Sequence, residues 1–539
     1  MSTSFRMAPM DGYVKVGSGR KPLRTLPSST WGMCNSARFL SRVFAVTSAC
    51  VVFYWLVLYP ITGEQDLLDL PRDRSKMLER LTNRIPSQLG GGSTKLASSS
   101  GSRPGFRNPA HVPSRKRPKY QLSEFNCNPF EELGRVIVNL EDVTANVWAP
   151  YDRSCAPSNY MKDLYRSADD NVPVTPKTAS AIEEIGDGPG ASRRWLPWLV
   201  DRTVLIHGDS IDRFHLKDFC ELVKGELTLI DPKHPASPPP HRSSEHLPPG
   251  VSEEDRNRRK EKEATWEKRP TEGHVLTNPW VCNVQEYNLT LINVFTWGLE
   301  GAEEFFETER WYHPPATWTE RLEAITLPLL DNLARHFNRS QIRYPDLVEL
   351  NSGYWDLRKY TEEDFVAAGW KTRPYPEDSP IPYQNLQPER EVIWEREARK
   401  AIRFAARAFK GPDGTPADGP TILWRTLHHP PRHNYAPYNR VFALDNLARK
   451  VVLDLQNGVT TAMDAHHGSH DVDLNLGERL RLDESGRLML GQEQLFRDLL
   501  HPLAIPGSYL WGNIMLYELK RAVKGIGRDW SAELERRRV

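Results

Sequence analysis

The stretch VLIHGDSIDRFHLKDFCEL, residues 204–222, changes its period in the middle. Residues 204–206 form a short apolar run closed by a polar turn, the pattern of a fully buried strand. Residues 211–222 carry a helical pattern instead. The tetrapeptide His207-Gly208-Asp209-Ser210 therefore stands where a buried strand turns into a helix. The same alternation continues down the chain. Residues 289–295, 347–350 and 421–424 read as further buried strands, and residues 319–337, 390–409, 439–455 and about 508–523 read as helices. Strands that alternate with helices predict an α/β fold whose parallel sheet is covered by helices.

Open α/β sheets bind their ligands outside the carboxyl ends of the strands. Polar and glycine residues stand there each time: His207-Gly208-Asp209-Ser210, then Thr296-Trp297-Gly298, Asn351-Ser352-Gly353 and Arg425-Thr426-Leu427-His428. These four ends are expected to converge on one cleft. Within it Ser210 has two readings of equal weight. A serine at the start of a helix caps it, or its hydroxyl, exposed at the sheet edge near the positive end of a helix dipole, serves as a nucleophile. Gly208 would permit the tight turn. A nucleophilic serine needs a base, and the base needs a partner that fixes its tautomer. Asp498 and His501, three residues apart, can lie on one side of a turn or short helix. Asp498 would then hold Nδ1 while Nε2 faces Ser210. Taken alone, the pair reads better as a surface acid and a histidine that ends an amphipathic helix.

The order of these blocks, GDSIDR at 208–213 and DLLHPLAIPGSYLWGN at 498–513, resembles the SGNH hydrolase superfamily, and within it the PC-esterase and trichome-birefringence-like branch. That branch pairs a GDSxxR block with a C-terminal DxxH block followed by Pro-Gly and a Trp-containing helix, here Pro506, Gly507 and Trp511. LNSGYWD at 350–356 and WRTLHHPPRHN at 424–434 match two intermediate blocks more loosely, so the resemblance spans about residues 127–523. His501 is followed by Pro502, where the plant branch has Trp-Cys, and the family disulfide at that point is absent. The resemblance implies a three-layer SGNH-like fold and a serine acyl-ester enzyme without cofactor or metal. Ser210 would attack an acyl carbonyl, His501 would carry its proton and Asp498 would orient the imidazole. It also implies an oxyanion hole from the Ser210 N–H, the Gly298 N–H and the Asn351 amide, with Arg213 and Arg425 as candidates for touching substrate.

The ends of the chain suggest where such chemistry takes place. Residues 1–42 carry seven Arg or Lys against one acid, and residues 43–63 have no charge at all. At about 1.5 Å per residue those 21 residues just span a hydrocarbon core of about 30 Å. With Arg38 and Arg42 before the run and Glu64, Asp66 and Asp69 after it, the positive-inside bias predicts a single-pass type II protein with a cytosolic tail at 1–42. A 42-residue leader and a bulky aromatic second half fit a cleaved signal peptide poorly. Residues 64–120, rich in Gly, Ser, Pro and basic residues, read as a disordered stem, and residues 231–273 as a solvated insertion loop in the folded part at 121–539. A Golgi or other secretory-pathway membrane, with the folded part in the lumen, follows from that layout.

Four cysteines fall on the oxidising side, Cys127, Cys155, Cys220 and Cys282. They allow three connectivities, of which proximity favours Cys127 with Cys155 and Cys220 with Cys282. The sequons at Asn288 and Asn338 agree with that side. A net charge of +1 argues against a dedicated nucleic-acid binder. The expected partners are an acyl donor and a glycan acceptor, with O-acetyl transfer and ester hydrolysis both open, since they share one acyl-serine intermediate. The 16 tryptophans would suit sugar stacking, although most belong to a core. Two other functions stay in view. Asp471 and Asp473 have the DxD form of metal-dependent lumenal glycosyltransferases, although the His-rich run at 464–471 reads better as a solvated loop than as a metal site. A non-catalytic glycan-binding protein is the third.

Overall fold

The computed structural model describes residues 125–525, apart from 126, 169–182, 186–191, 268–277, 371–381, 460–473, most of 301–311 and a few shorter stretches. The run at 43–63, the stem at 64–120 and the His-Asp segment with Asp471 and Asp473 lie outside the described residues. Among the described residues no helix is long and apolar enough to cross a membrane.

Seven strands form one sheet: β1 (Thr203–Gly208), β2 (Glu226–Leu229), β3 (Trp280–Val284), β4 (Leu289–Phe295), β5 (Leu347–Leu350), β6 (Thr421–Arg425) and β7 (Leu480–Asp483). Their spatial order is β7-β6-β5-β1-β4-β3-β2. β7, β6, β5, β1 and β4 run parallel, and β3 is antiparallel to both its neighbours. The four strands legible in the sequence are the four central ones. β2, β3 and β7, towards the edges, were not foreseen.

Alternation along those central strands shows why helices cover both faces. Leu205, Ile292, Val294, Val348, Leu350, Ile422 and Trp424 point into one apolar cluster. Val204, Ile206, Leu289, Leu291, Leu347 and Leu423 point into another. Side chains on a strand alternate between faces, so strands with apolar residues on both faces must be buried twice. One face is covered by α1 (Ser210–Leu222) and the last long helix, Tyr509–Lys520. The other is covered by a helix running from Trp318 to His336 through a π-helical turn, together with Pro388–Ala408 and Tyr438–Gln456. The helix Tyr354–Ala367 follows β5 directly. Its buried Asp356, Glu362 and Asp364 interrupt the apolar periodicity that would have announced it.

The region read as a solvated loop at 231–273 differs from that expectation, because it contains a helix, Glu253–Glu267. Glu253, Glu254 and Asp255 occupy its first turn, where carboxylates favour the positive end of the dipole. Its Glu263 is buried and accepts from the Ser244 N–H at 2.7 Å and hydroxyl at 2.6 Å. A run dense in charge thus folds once one acid finds buried donors.

Among the described residues two disulfides are present, Cys127–Cys155 and Cys220–Cys282. The second ties the end of α1 to β3, with both sulfurs fully buried. It closes a 62-residue separation, and closing a loop of that size removes denatured-state entropy worth about 4 kcal/mol, with about 2–4 typical of measured bridges. The double variant Cys220→Ser, Cys282→Ser should therefore unfold at lower urea under oxidising conditions, by an amount in that range. An unchanged midpoint would contradict the bridge.

Candidate active site

Ser210 is the first residue of α1, not its cap. The cap is Asp209, whose carboxylate accepts from the Ile211 N–H at 2.8 Å, while the Asp209 N–H donates to Asp212 Oδ2 at 2.9 Å. This reciprocal pair is a capping box, and it leaves the Ser210 hydroxyl unspent on the helix. Gly208 is needed for space rather than for a turn. A Cβ there would lie 2.0 Å from the Asp212 carboxylate oxygen, so any side chain would displace the box.

The Ser210 Oγ meets His501 Nε2 at 2.8 Å, and His501 Nδ1 meets Asp498 Oδ2 at 2.8 Å. Asp498 divides its oxygens. Oδ1 accepts from the N–H groups of Leu500 and His501, both at 2.7 Å, and Oδ2 is left for the imidazole. A carboxylate can only accept, so Nδ1 carries the proton and Nε2 presents a lone pair to the serine O–H. Burial raises the Asp498 carboxyl, but the hydrogen bond and charge of His501 with the two N–H groups outweigh it and bring it down to about 2. The imidazole is 15% and the carboxylate 29% exposed, so the array opens to solvent at one side.

The three expected oxyanion donors hang from adjacent strands. β1 lies between β5 and β4, and the ladders continue to the site through Asn351 N–H to His207 O at 3.0 Å and Thr296 N–H to Gly208 O at 2.7 Å. Ser210, in the first turn of α1, has no intrahelical acceptor for its N–H. Asn351 is buried and gives one of its two amide hydrogens to Arg425 O at 2.8 Å. Gly298 adopts φ +107°, and a Cβ there would come within 2.7 Å of Asp356 Oδ1. The same oxygen holds the next N–H, that of Leu299, at 2.9 Å. Glycine is required here twice over, by backbone and by space.

Arg425 does not line the cleft. Its side chain is fully buried, with Nε 2.5 Å from Asp212 Oδ1 and 3.6 Å from Glu349 Oε1. Asp209 and Asp483 complete a group of four buried acids whose charges act on this one guanidinium or on one another. Glu349 also accepts from Trp511 Nε1 at 2.9 and 3.1 Å. Arg213 is nearly buried as well, its guanidinium 5.3–5.8 Å from the ring centres of Trp280, Phe214 and Phe295, and burial brings it down to about 10.

Sequence reasoning also missed a buried chain beside the site. Ser508 Oγ donates to Asp218 Oδ2 at 2.7 Å, so it accepts from His215 Nδ1 at 3.0 Å. His215 Nε2 is then bare and accepts from His428 Nε2 at 3.0 Å. Burial pushes both imidazoles well below their ordinary range, in keeping with this neutral arrangement. Only His428 stood at a strand end where the sequence drew attention. His215 and Asp218 belong to a helix whose polar face is indistinguishable from a solvated one in sequence.

Asn288 and Asn338 lie exposed in left-handed turns, with φ 50° and 53°. They precede β4 and β5, at the end of the sheet opposite Ser210. No protein-family model matches this chain, and no curated protein matches it.

Two outcomes follow from the buried acids. Burial first, and then the Asp212 charge, push the Asp209 carboxyl up to about 7, against the pull of Arg425. A carboxyl raised above its unfolded value of 3.8 contributes stability that is complete below that value and is lost as pH rises through about 7. Asparagine caps equally well but does not titrate. Asp209→Asn should therefore flatten the decline of unfolding midpoint with rising pH over that window, and parallel profiles for the two proteins would refute the assignment. Replacing Arg425 by Met strands Asp212 and Glu349 in the interior and should cost about 3–5 kcal/mol in urea unfolding.

Proposed function

We propose that the chain is a serine acyl-ester enzyme of the SGNH type, related to the PC-esterase branch, with Ser210, His501 and Asp498 as its triad. The single observation that carries this reading is the continuous array from Asp498 Oδ2 to His501 to Ser210 Oγ, 2.8 Å at each step. Ser210 and His501 are 291 residues apart in sequence and meet at the carboxyl end of the parallel strands. Support also comes from the capping of α1 by Asp209, which removes the structural use of the serine hydroxyl.

In the reaction Ser210 Oγ attacks an acyl carbonyl as its proton passes to His501 Nε2. The negative oxygen of the tetrahedral adduct takes hydrogen bonds from the N–H groups of Ser210 and Gly298 and from the second amide hydrogen of Asn351. Such a donor is worth about 3–4 kcal/mol in the transition state. The adduct collapses, the leaving oxygen takes the proton from His501, and an acyl-serine remains. A hydroxyl of an acceptor, or water, then attacks this ester while His501 removes its proton, and as the second adduct collapses His501 returns that proton to Ser210 Oγ, which is released from the acyl product. We assign the acceptor to glycans and the setting to the secretory pathway, with residues 43–63 as a type II anchor. Asn288 and Asn338 would carry glycans at the end of the sheet away from the reaction.

Ser210→Ala should lower acetyl release from a 4-nitrophenyl acetate probe and transfer to glycan by about 10⁴–10⁶-fold, and Asp498→Asn by about 10⁴-fold. A fluorophosphonate should label the wild type and not Ser210→Ala, and EDTA should leave the rate unchanged. Retained activity in the alanine variant, or loss with EDTA, would sink the mechanism.

A further inference from the structure

One face of α1 carries Ser210, Phe214 and Asp218, at positions i, i+4 and i+8. Residues at this spacing stand one above another along a helix. The segment that carries Asp498 and His501 lies against all three. His501 Nε2 meets the Ser210 hydroxyl at 2.8 Å, and the His501 ring packs edge-on against Phe214 with centroids 4.7 Å apart. Arg497 lies over the same Phe214 ring at 4.6 Å, and its Nη2 donates to Asp218 Oδ2.

Arg497 is bound just as closely to its own segment. Its N–H donates to His501 O at 2.8 Å and its Nε to Pro502 O at 2.9 Å. Phe496 bridges Pro502, and the Leu503 N–H donates to Leu495 O at 2.9 Å, so residues 495–503 form a narrow loop with Asp498 and His501 in its bend. Asp218 is fixed in turn by the Ser508 hydroxyl at 2.7 Å, and its side chain is only 4% exposed. The guanidinium therefore joins the base of the loop to a rigid point two helical turns beyond the nucleophile.

We infer that Arg497, through Asp218 and Phe214, is a positioning residue that sets the His501 imidazole against the Ser210 hydroxyl. This rests on the triad reading above and assigns one more residue to it. Arg497 does not touch the reacting atoms. It fixes the loop at one end and lies over the Phe214 ring against which His501 packs edge-on, so that the imidazole cannot slide along α1 or tilt away from Ser210. A misplacement of about 1 Å in such an array is enough to cost about 100-fold in rate.

The test compares Arg497→Gln, Arg497→Lys, Asp218→Asn and the double variant Arg497→Gln, Asp218→Asn in the full chain. Hydrolysis of 4-nitrophenyl acetate, the rate of fluorophosphonate labelling, the unfolding midpoint and crystal structures are read for each. Arg497→Gln and Asp218→Asn should each lower kcat and the labelling rate by about 10–100-fold with KM within about twofold. The double variant should be no worse than the worse single one, and Arg497→Lys should recover part of the loss. Full rates in folded single variants, additive losses, or losses that only follow the folded fraction overturn the inference. Should Arg497→Gln fail to fold, the isosteric Asp218→Asn carries the same comparison. If the wild type neither turns over nor labels at Ser210, the serine-enzyme reading fails, and the crystal structures decide positioning separately. A His501 ring displaced from Ser210 in Arg497→Gln or Asp218→Asn supports it, and a ring left in place overturns it.

Discussion

The Asp212 carboxylate ties the junction of β1 and α1 to the end of β6. One oxygen accepts from the Asp209 N–H and closes the cap of α1, and the other is held by Arg425 at the end of β6. The group lies so close to Gly208 that the strand can end only in glycine there. This arrangement fixes the angle at which β1 passes into α1, and with it the direction of the Ser210 side chain. It is costly in isolation, because several acids are taken from water around one guanidinium, and the desolvation of buried charges can exceed their mutual attraction.

Around that hub the register of the parallel strands sets the rest of the site. β5, β1 and β4 end at nearly one level, His207 opposite Leu350 and Gly208 opposite Phe295. The next residues on each strand bring the Asn351 amide and the Gly298 turn to either side of Ser210. The loop with Asp498 and His501 approaches from the other end of the chain and is held through contacts along α1. Sheet, helix and loop each contribute a different element of the array, and none of the three forms it alone.

Much of this was legible in sequence where the physics is local. The central strands are buried at every position and mostly apolar because both faces are covered, and such runs can be read without knowing their neighbours. The strands towards the edges escaped notice. Leu480–Asp483 alternates apolar with charged residues, and Glu226–Leu229 opens on an exposed acid, so neither makes a continuous run. The helix Glu253–Glu267 was hidden by its charge, since composition describes solvation and not the buried hydrogen bonds of Glu263 to Ser244. Asp498 and His501 were found because three-residue spacing puts two side chains on one side. Asp218 and Arg497 were not, since their partnership spans 279 residues.

The amino-acid order by itself determined that a strand passes into a helix at Gly208-Asp209-Ser210, because that depends on the period of apolar residues within one short segment. It determined, too, that an acid and a histidine near residue 500 could act together. It left open whether Ser210 or its neighbour caps the helix, and whether Arg425 is buried or exposed. Only the tertiary structure decided those points. Asp209 and Ser210 are both competent caps, and the choice fell to Asp209 because Asp212, anchored by Arg425 from a distant strand, completes the box with it. The acid that completes the cap is thus held in place by a charge 213 residues away from it, and no local pattern carries that contact.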